Sequence, residues 1–271
     1  MRWSKIKNII ILLLVLVNAF LLAQVGLRTW RSQQARRETR ERMIAILERN
    51  DVAFLPAEVP EELGLTGRRV TLSPAGETEA AALMGPVSGQ ETLGTRTTYL
   101  GTLGAVTVSS SGDVEAVFSP NACPAEADRA AQGLELLSAL GVQARLVRQD
   151  DTTGASVFRY VQLWNGVPVP EWSAVLVWGE EGLDRLTLRR LAGTEELLPA
   201  QDTLDAATAL TRLLDELNRG EGYVCSQISA IYPGYLVNGT GILTLTPAWF
   251  IETDTWRFAV DGYTGAVTAA E

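Results

Sequence analysis

Histidine is missing from all 271 residues of this chain. Imidazole is the commonest general base, the commonest metal ligand and the usual side chain that titrates near neutral pH. Its absence excludes histidine-based catalysis, histidine-ligated metal sites and a histidine pH switch. Lysine is missing after residue 7, which leaves a serine nucleophile without either of its usual bases in the rest of the chain. No nucleophile elbow, phosphate-binding loop or dinucleotide fingerprint occurs in the sequence. We therefore expect a protein that is not an enzyme and has no catalytic residue, cofactor or metal ion.

Cysteine is nearly missing as well, with Cys123 and Cys225 alone in the sequence. They are 102 positions apart and fit no metal-ligand spacing. A disulfide between them would require an exported body, because disulfides persist in oxidising compartments. Two free thiols buried in the core are the interpretation that we favour.

Positive charge is scarce in the body of the chain. All 32 aspartates and glutamates lie beyond residue 27, against 20 arginines in the same span, which gives that span a net charge of −12. Such a charge repels phosphates, and we expect no nucleic-acid partner. The arginines between residues 28 and 42 are better explained as an anchor at the level of lipid headgroups.

A long apolar run occupies residues 9–27, which are 19 residues without a charge. As a helix it would measure roughly 28 Å, close to the ~30 Å hydrocarbon core of a bilayer. The run is longer than the apolar region of an ordinary signal peptide and does not end in Ala-x-Ala, so we expect a retained transmembrane anchor rather than a cleaved leader. The residues expected to fix its ends at the membrane interfaces are Trp3, Lys5, Lys7, Arg28, Trp30 and Arg31.

The charges that flank this run leave its orientation open. Counting them favours a cytoplasmic body, since more basic residues follow the run than precede it. A short basic stub that leads into one apolar run is instead typical of a signal-anchor, which exports the rest of the chain.

Asn18 lies in the middle of the apolar run, where a carboxamide is costly unless it forms a hydrogen bond. A single span has no second helix of its own to supply that bond. We therefore expect Asn18 to contact the transmembrane helix of another protein. The alternative is that the bilayer tolerates one asparagine.

Turn residues and apolar periodicity divide the rest of the chain into helices followed by strands. Helices segregated from antiparallel strands indicate an α+β fold, in which a single N-terminal transmembrane helix and stalk precede repeated units of one helix and an antiparallel β-meander. The expected segments are a cytoplasmic stub (1–8), the transmembrane helix (9–27), a stalk helix (28–50), a degraded first unit (51–120), a second unit (121–199) and a third unit (200–271).

Local patterns predict several individual elements. Helices are expected over residues 77–84, 125–140 and 204–218, the last two capped by Asn121 and Thr203. Residues 92–100 and 223–232 are each expected to form one strand. Asn165-Gly166, between two strand-like runs, predicts a tight hairpin.

Acid pairs and tryptophans are the remaining candidates for a site. Paired carboxylates could serve catalysis or bind calcium, but each pair is predicted to lie in a turn or loop, where acids are solvated. The tryptophans fall in strand-like runs and are expected to pack in the core rather than to line a ligand groove. The acid pairs are Asp150-Asp151, Glu180-Glu181 and Glu195-Glu196, and the tryptophans are Trp164, Trp172, Trp178, Trp249 and Trp256.

Both ends of the chain resemble known proteins. Trp3-Ser4-Lys5-Ile6-Lys7 and the run containing Asn18-Ala19-Phe20-Leu21-Leu22 resemble the N-terminus of YycI and YycH, membrane-anchored regulators of an essential cell-wall two-component system in Gram-positive bacteria. Leu245-Thr246-Pro247-Ala248-Trp249 and residues 258–265 are similar to those proteins and to PepSY-like domains more widely. Val167-Pro168-Val169 has a similar PepSY-like character.

The resemblance implies an extracytoplasmic body of PepSY-like units without enzymatic activity, held in the cell membrane by a single span. In the family, the transmembrane helix contacts those of a sensor histidine kinase and of the sister regulator, which implies a partner surface around Asn18 and Phe20. The arginines at 28–42 conflict with this orientation. The alternatives are a PepSY-type binding module that inhibits or chaperones a secreted protease, and an envelope enzyme that uses an acid pair.

Overall fold

The body of the chain is an α+β structure in which helices pack on antiparallel β-sheets. A computed structural model describes residues 41, 44–45, 47–56, 59–60, 62–219 and 224–270. Within these ranges, fifteen strands form an eight-stranded and a seven-stranded sheet, and every strand pairing is antiparallel except one of two residues. The predicted α+β class is therefore confirmed for the described part of the chain.

The predicted membrane anchor at 9–27 and most of the predicted stalk lie outside the described residues. Where the stalk is described, Glu41, Ile44, Ala45, Leu47 and Glu48 are helical. Within the described ranges, no helix has both the length and the apolar content needed to cross a bilayer. The anchor therefore stays a prediction.

The eight-stranded sheet consists of two four-stranded meanders joined edge to edge. Two short strands, Ala53–Phe54 (β1) and Arg68–Leu72 (β2), precede it in the chain and belong to the other sheet. The strands of the two meanders are Gly89–Leu93 (β3), Arg96–Leu100 (β4), Gly104–Ser109 (β5) and Asp113–Phe118 (β6), then Gln143–Thr152 (β7), Ala155–Trp164 (β8), Val167–Gly179 (β9) and Gly182–Arg189 (β10). Because β6 pairs with β10, the strand order is β3-β4-β5-β6-β10-β9-β8-β7.

Helices Glu77–Met84 (α1) and Arg129–Ala139 (α2) pack on one face of this sheet, and α1 has the predicted bounds. Side chains of a strand point alternately to opposite faces, so in β6 Val114, Ala116 and Phe118 are buried while their neighbours are exposed. The opposite face, which we call the open face, carries exposed residues such as Arg145, Arg159 and Arg185 and is buried only locally, as at Val161. Fully buried members of this core include Leu83, Met84, Leu137, Tyr160 and Trp178.

The seven-stranded sheet is built around a third meander, which follows helix Ala206–Asn218 (α3). Its strands, besides β1 and β2, are Gly193–Leu197 (β11), Gln227–Thr240 (β12), Ile242–Thr253 (β13), Arg257–Asp261 (β14) and Val267–Ala270 (β15). β2 pairs with β11 and with the start of β13, and β1 pairs with β12. Each of the helices α1, α2 and α3 is thus followed by four consecutive antiparallel strands.

Two of the predicted helix starts are wrong. α2 begins after Asp128, whose carboxylate accepts a hydrogen bond from the Ala131 N–H at 2.9 Å, and Asn121 lies earlier in a left-handed turn. α3 begins after Asp205, whose carboxylate accepts from the Thr208 N–H at 2.8 Å, so Thr203 is not its cap. In both helices an aspartate satisfies a free N–H of the first turn.

Three strand predictions also need correction. Residues 92–100 contain a turn at Gly94, where φ is +61°, and therefore form two strands, β3 and β4. The strand expected to end at residue 232 continues through Pro233 and Gly234 to residue 240. Residues 193–197, expected to be a loop, form β11 on β2. The hairpin predicted at Asn165-Gly166 is confirmed, with φ of 50° and 80°.

Arg190 is a buried cation that ties three segments of the chain together. It is 7% exposed, and it donates to the carbonyl oxygens of Leu140 and Ser73, each at 2.6 Å. Its third donor, Nη2, lies 3.1 Å from Glu79 Oε1. The Gly76 N–H holds the pKa of Glu79 below its ordinary value, and the backbone N–H of Glu79 and then the charge of Arg190 lower it further. The guanidinium therefore meets an ionised partner and connects α1, α2 and the segment that follows β2.

A polar joint centred on Glu195 connects the two sheets. The Glu195 carboxylate, on β11, accepts hydrogen bonds from Trp164 Nε1 at 2.6 Å, Arg68 Nη1 at 2.7 Å and Asn165 Nδ2 at 3.2 Å. Trp164 and Asn165 belong to the β8–β9 hairpin of the other sheet. The hydrogen bond from Trp164 is the main reason that the pKa of Glu195 lies below its ordinary value. Glu195 is thus a structural acceptor in a strand, and the predicted solvated loop is wrong.

Apolar side chains close the joint beneath these hydrogen bonds. The cluster contains residues from both sheets, namely Val70, Trp164, Val169, Trp172, Leu191, Tyr235, Leu243 and Leu245. Beside it, β9 passes close to β12. A side-chain carbon at Gly234 would lie 2.9 Å from the Pro168 carbonyl oxygen and 2.7 Å from the Phe250 ring. Glycine is therefore required at position 234 for the two strands to approach this closely.

We expect Arg190→Met to lower the free energy of unfolding by about 3 to 5 kcal/mol, because it leaves buried carbonyl and carboxylate oxygens without their donor. Urea denaturation of the full chain in detergent micelles measures this. Arg185→Met is the control: its side chain is 57% exposed, and a change below about 0.5 kcal/mol is expected. Equal stabilities of wild type and Arg190→Met would contradict the assigned role.

The lowered pKa of Glu195 predicts a pH effect on stability. Its ionised form stabilises the fold above the unfolded-state pKa of about 4.5, and this contribution is lost as pH falls through the lower folded-state pKa. Glu195→Gln should therefore lower stability at pH 7 by about 1 kcal/mol, a modest value because the carboxylate is partly solvated, and the difference from wild type should shrink on acidification.

The neighbouring Glu196 is the matched control for this pH effect. Its side chain is 69% exposed and it pairs only with Arg69, at 3.2 Å, among the described residues. Glu196→Gln should change the free energy of unfolding by less than about 0.5 kcal/mol. If thermal melts from pH 7 to pH 3 gave the same curve for the Glu195→Gln and Glu196→Gln proteins, the joint would not depend on the Glu195 charge.

Candidate functional site

A groove of about 540 Å³ lies where the two sheets meet, and four arginines line it. The four are Arg145 and Arg148 on β7, Arg159 on β8 and Arg257 on β14. Beyond residue 50 the sequence has 29 acids and only 13 arginines, so nearly a third of these arginines converge on this one groove. The groove is therefore a basic site in a strongly acidic body. We call it the arginine groove.

A β-bulge places two of these arginines on the same face of the sheet. Arg145 lies opposite Val161 on β8, and Arg148 lies opposite Arg159, with a register shift between Leu146 and Arg148. Residues three apart in a regular strand point to opposite faces, and the extra residue, Val147, restores them to one face. Both side chains consequently line the groove on the open face of the eight-stranded sheet.

Arg148 and Arg159 lie directly opposite each other on neighbouring strands, an arrangement in which like charges destabilise a sheet. Asp150 compensates part of this repulsion. Its carboxylate accepts from Arg148 Nε at 2.7 Å and lies 4.0 Å from Arg159 Nε. Arg145 has no carboxylate within 4.0 Å among the described residues. This wall of the groove therefore carries an excess of positive charge that one aspartate does not neutralise.

The opposite wall comes from the seven-stranded sheet. Arg257 lies opposite Glu252 in the β13–β14 pairing, with 3.6 Å between Arg257 Nε and Glu252 Oε1. The Tyr232 hydroxyl donates to the same carboxylate oxygen at 2.9 Å, and its ring stacks on Phe250 with 5.9 Å between centroids. Burial raises the pKa of Tyr232, and the charge of Glu252 raises it further, so the hydroxyl stays protonated.

The side chains of the arginine groove are suited to recognition of anions. Guanidinium groups are permanent cations that present several donors in a planar fork, and they bind carboxylate and phosphate oxygens with two hydrogen bonds each. Val147, Pro168 and Pro170 add apolar surface between the charged groups. With four guanidinium groups and two carboxylates, the site has an excess of two positive charges.

The predicted membrane contacts cannot be placed in the structure. Asn18 and Phe20, with the predicted interface anchors Trp3, Lys5, Lys7, Arg28, Trp30 and Arg31, all lie outside the described residues.

The acid pairs have three different surroundings. Glu180-Glu181 forms the turn between β9 and β10, as predicted. Asp150-Asp151 belongs to β7, and Asp150 lies in the arginine groove, so the predicted turn is wrong there. Glu195-Glu196 belongs to β11 and to the joint. In the described residues, no group of three or more cysteine or acidic side chains is arranged to hold a metal ion.

The tryptophans and cysteines were predicted to lie in the core, and most of the tryptophans do. Trp256 lies just before β14 rather than in a strand and is half-buried, whereas Trp164, Trp172, Trp178 and Trp249 lie in strands and are buried. Cys123 and Cys225 are half-buried free thiols rather than fully buried ones. Burial raises the pKa of both thiols, which disfavours the reactive thiolate.

Two solved structures are similar to this one. A crystal structure of an uncharacterized protein from Eubacterium rectale matches over 76% of this chain and 86% of its own, with a TM-score of 0.52 and 12% sequence identity. The YpeB C-terminal domain of Bacillus megaterium matches over 68% of this chain and 88% of its own, with a TM-score of 0.36 and 8% identity. The first similarity shows a shared fold, and the second is too distant to show one. No protein-family model matches the sequence, and no curated protein matches it.

Proposed function

We propose that this chain is a membrane-anchored accessory regulator of a cell-envelope sensor histidine kinase, with its body outside the cytoplasmic membrane. The observation that carries the proposal is the uncharged run at 9–27, with Asn18 at its centre, joined to an α+β body. The resemblance of this run and its basic stub to YycI and YycH supports both the orientation and the type of partner.

The order of elements in the body supports the finer proposal of PepSY-like repeats. A helix followed by a four-stranded meander occurs three times, beginning with α1, α2 and α3 in turn. The unit that begins at α1, which the sequence presents as degraded, has as many strands as the other two. We propose that these are three copies of one PepSY-like unit.

Regulation would combine two contacts. In the membrane, the Asn18 carboxamide would hydrogen-bond to the kinase or to a sister regulator, an interaction worth on the order of 1 kcal/mol. Outside, the body would bind one kinase state more tightly than the other, since a partner shifts an equilibrium only by its difference in affinity for the two states. The arginine groove is a recessed, positively charged surface of the body that is suited to such binding.

A second candidate function is an anchored binding module that inhibits or chaperones a secreted protease. The arginine groove favours it, because the whole recognition surface then belongs to the body and none of it to the membrane span. The two functions differ in whether the anchor takes part in binding. A fragment of residues 41–271 lacks the run at 9–27 but keeps Leu47, which is fully buried in the core. Its recovery of the partner should fall well below that of the full chain under the first function, because the membrane contact is lost, and should equal that of the full chain under the second.

The role of Asn18 is tested by co-purifying the full chain from cell membranes after mild cross-linking. Asn18→Leu should lower recovery of the kinase about fivefold, the equivalent of one interhelical hydrogen bond. Gln24→Leu removes a carboxamide nearer the end of the same run and should leave recovery unchanged. Equal recovery with wild type and Asn18→Leu would contradict a membrane contact through this side chain.

A further inference from the structure

We infer that the arginine groove and the free edge of β7 together bind an extended acidic peptide segment of a protein partner. The inference takes one element from the proposed function, namely that the body has a protein partner. It assigns the binding to residues that the membrane contact at Asn18 does not involve, so each can fail without the other.

The edge of β7 supplies hydrogen-bonding groups that only a peptide can use along their length. β7 is the last strand of the eight-stranded sheet and pairs with β8 alone among the described strands. Over Gln143–Thr152, its outer N–H and C=O groups therefore face away from the sheet. An extended peptide can add to such an edge as one more strand, with its side chains directed alternately to the two faces.

The positions of the arginines match the side-chain spacing of an added strand. Arg145 and Arg148 lie on one face of β7, two register positions apart because of the bulge at Val147. Carboxylates at alternate positions of an added strand lie on one face about 7 Å apart, the same interval as two register positions on β7. Arg159 lies one strand further in, and Arg257 lines the same groove from the other sheet. A strand with acidic residues at alternate positions would thus meet guanidinium groups on one side.

Protection of the edge against aggregation explains only part of this arrangement. Charged side chains and a bulge on an edge strand are common means of preventing unwanted pairing, and they account for Arg145 and Arg148. They do not account for Arg159, which lies on an interior strand directly opposite Arg148, or for Arg257, which lies on another sheet. Four cations that repel one another around one groove are better explained by an anionic ligand that relieves the repulsion.

The inference is tested with the full chain in detergent micelles and a fluorescent peptide of alternating glutamate and valine. Fluorescence anisotropy should show binding that weakens with added salt, and a matched peptide of alternating glutamine and valine should bind at least about tenfold more weakly. Methylation of alternate backbone nitrogens of the acidic peptide should weaken binding as well, because it removes the donors that pair with β7.

Arg145→Gln combined with Arg159→Gln removes two cations from the groove. Neither has a carboxylate closer than 4.0 Å among the described residues, so the fold should be kept, which an unchanged melting temperature checks. This double variant should bind the acidic peptide at least about tenfold more weakly than wild type. Arg185→Gln is the control, because Arg185 lies on the same open face but outside the groove, and it should bind as wild type does. If the double variant did not fold, Arg159→Gln alone would be used for the same comparison.

Three results would overturn the inference. The first is equal affinity of wild type and the folded groove variant. The second is equal affinity for the glutamate and glutamine peptides. The third is binding of inorganic tripolyphosphate at least as tight as that of the acidic peptide, with no effect of backbone methylation, which would assign the groove to a polyphosphate-like anion instead. None of these results would bear on the contact at Asn18.

Discussion

The joint between the two sheets is the constraint on which the rest of the body depends. The Glu195 carboxylate holds the tip of the β8–β9 hairpin through Trp164 and Asn165, and it holds β2 through Arg68. Beneath it, apolar residues of both sheets form one cluster. Gly234 allows β12 to pass close to Pro168 at the same junction. With these contacts in place, the wall of the arginine groove on β7 and β8 faces the wall on β13 and β14.

The same plan explains how one repeated unit gives two different sheets. The first two meanders meet edge to edge, because β6 pairs with β10, and they share the core under α1 and α2. The third meander recruits β1, β2 and β11 instead and packs beside β9. Arg190 fixes the connection between these halves by binding the end of α2, the start of α1 and the carbonyl of Ser73. The groove arises where the second and third units meet.

Local sequence signals predicted the elements whose conformation depends on a few neighbouring residues. They failed for elements whose conformation or pairing depends on contacts between residues distant in the sequence. Asn165-Gly166 specifies its hairpin by itself, and Gly76 and Gly85 mark the two ends of α1. Asp128 caps α2 instead of Asn121, partly because the buried Gln132 holds the preceding loop through Pro124 and Glu126. β11 is exposed throughout and shows no alternation, so its pairing with β2 is invisible in sequence. The arginine groove was missed because its residues come from β7, β8 and β14, and the bulge at Val147 hides their shared face.

The central claim is that arginines from both sheets act on one ligand. A double-mutant cycle tests it most directly, with the affinity of the full chain for the acidic peptide measured for Arg145→Gln, for Arg257→Gln and for the pair. The account predicts that Arg257→Gln alone weakens binding about fivefold or more, although Arg257 belongs to a different sheet from Arg145, and that the two effects are not additive. Unchanged affinity in Arg257→Gln would contradict it, because the seven-stranded sheet would then form no part of the site.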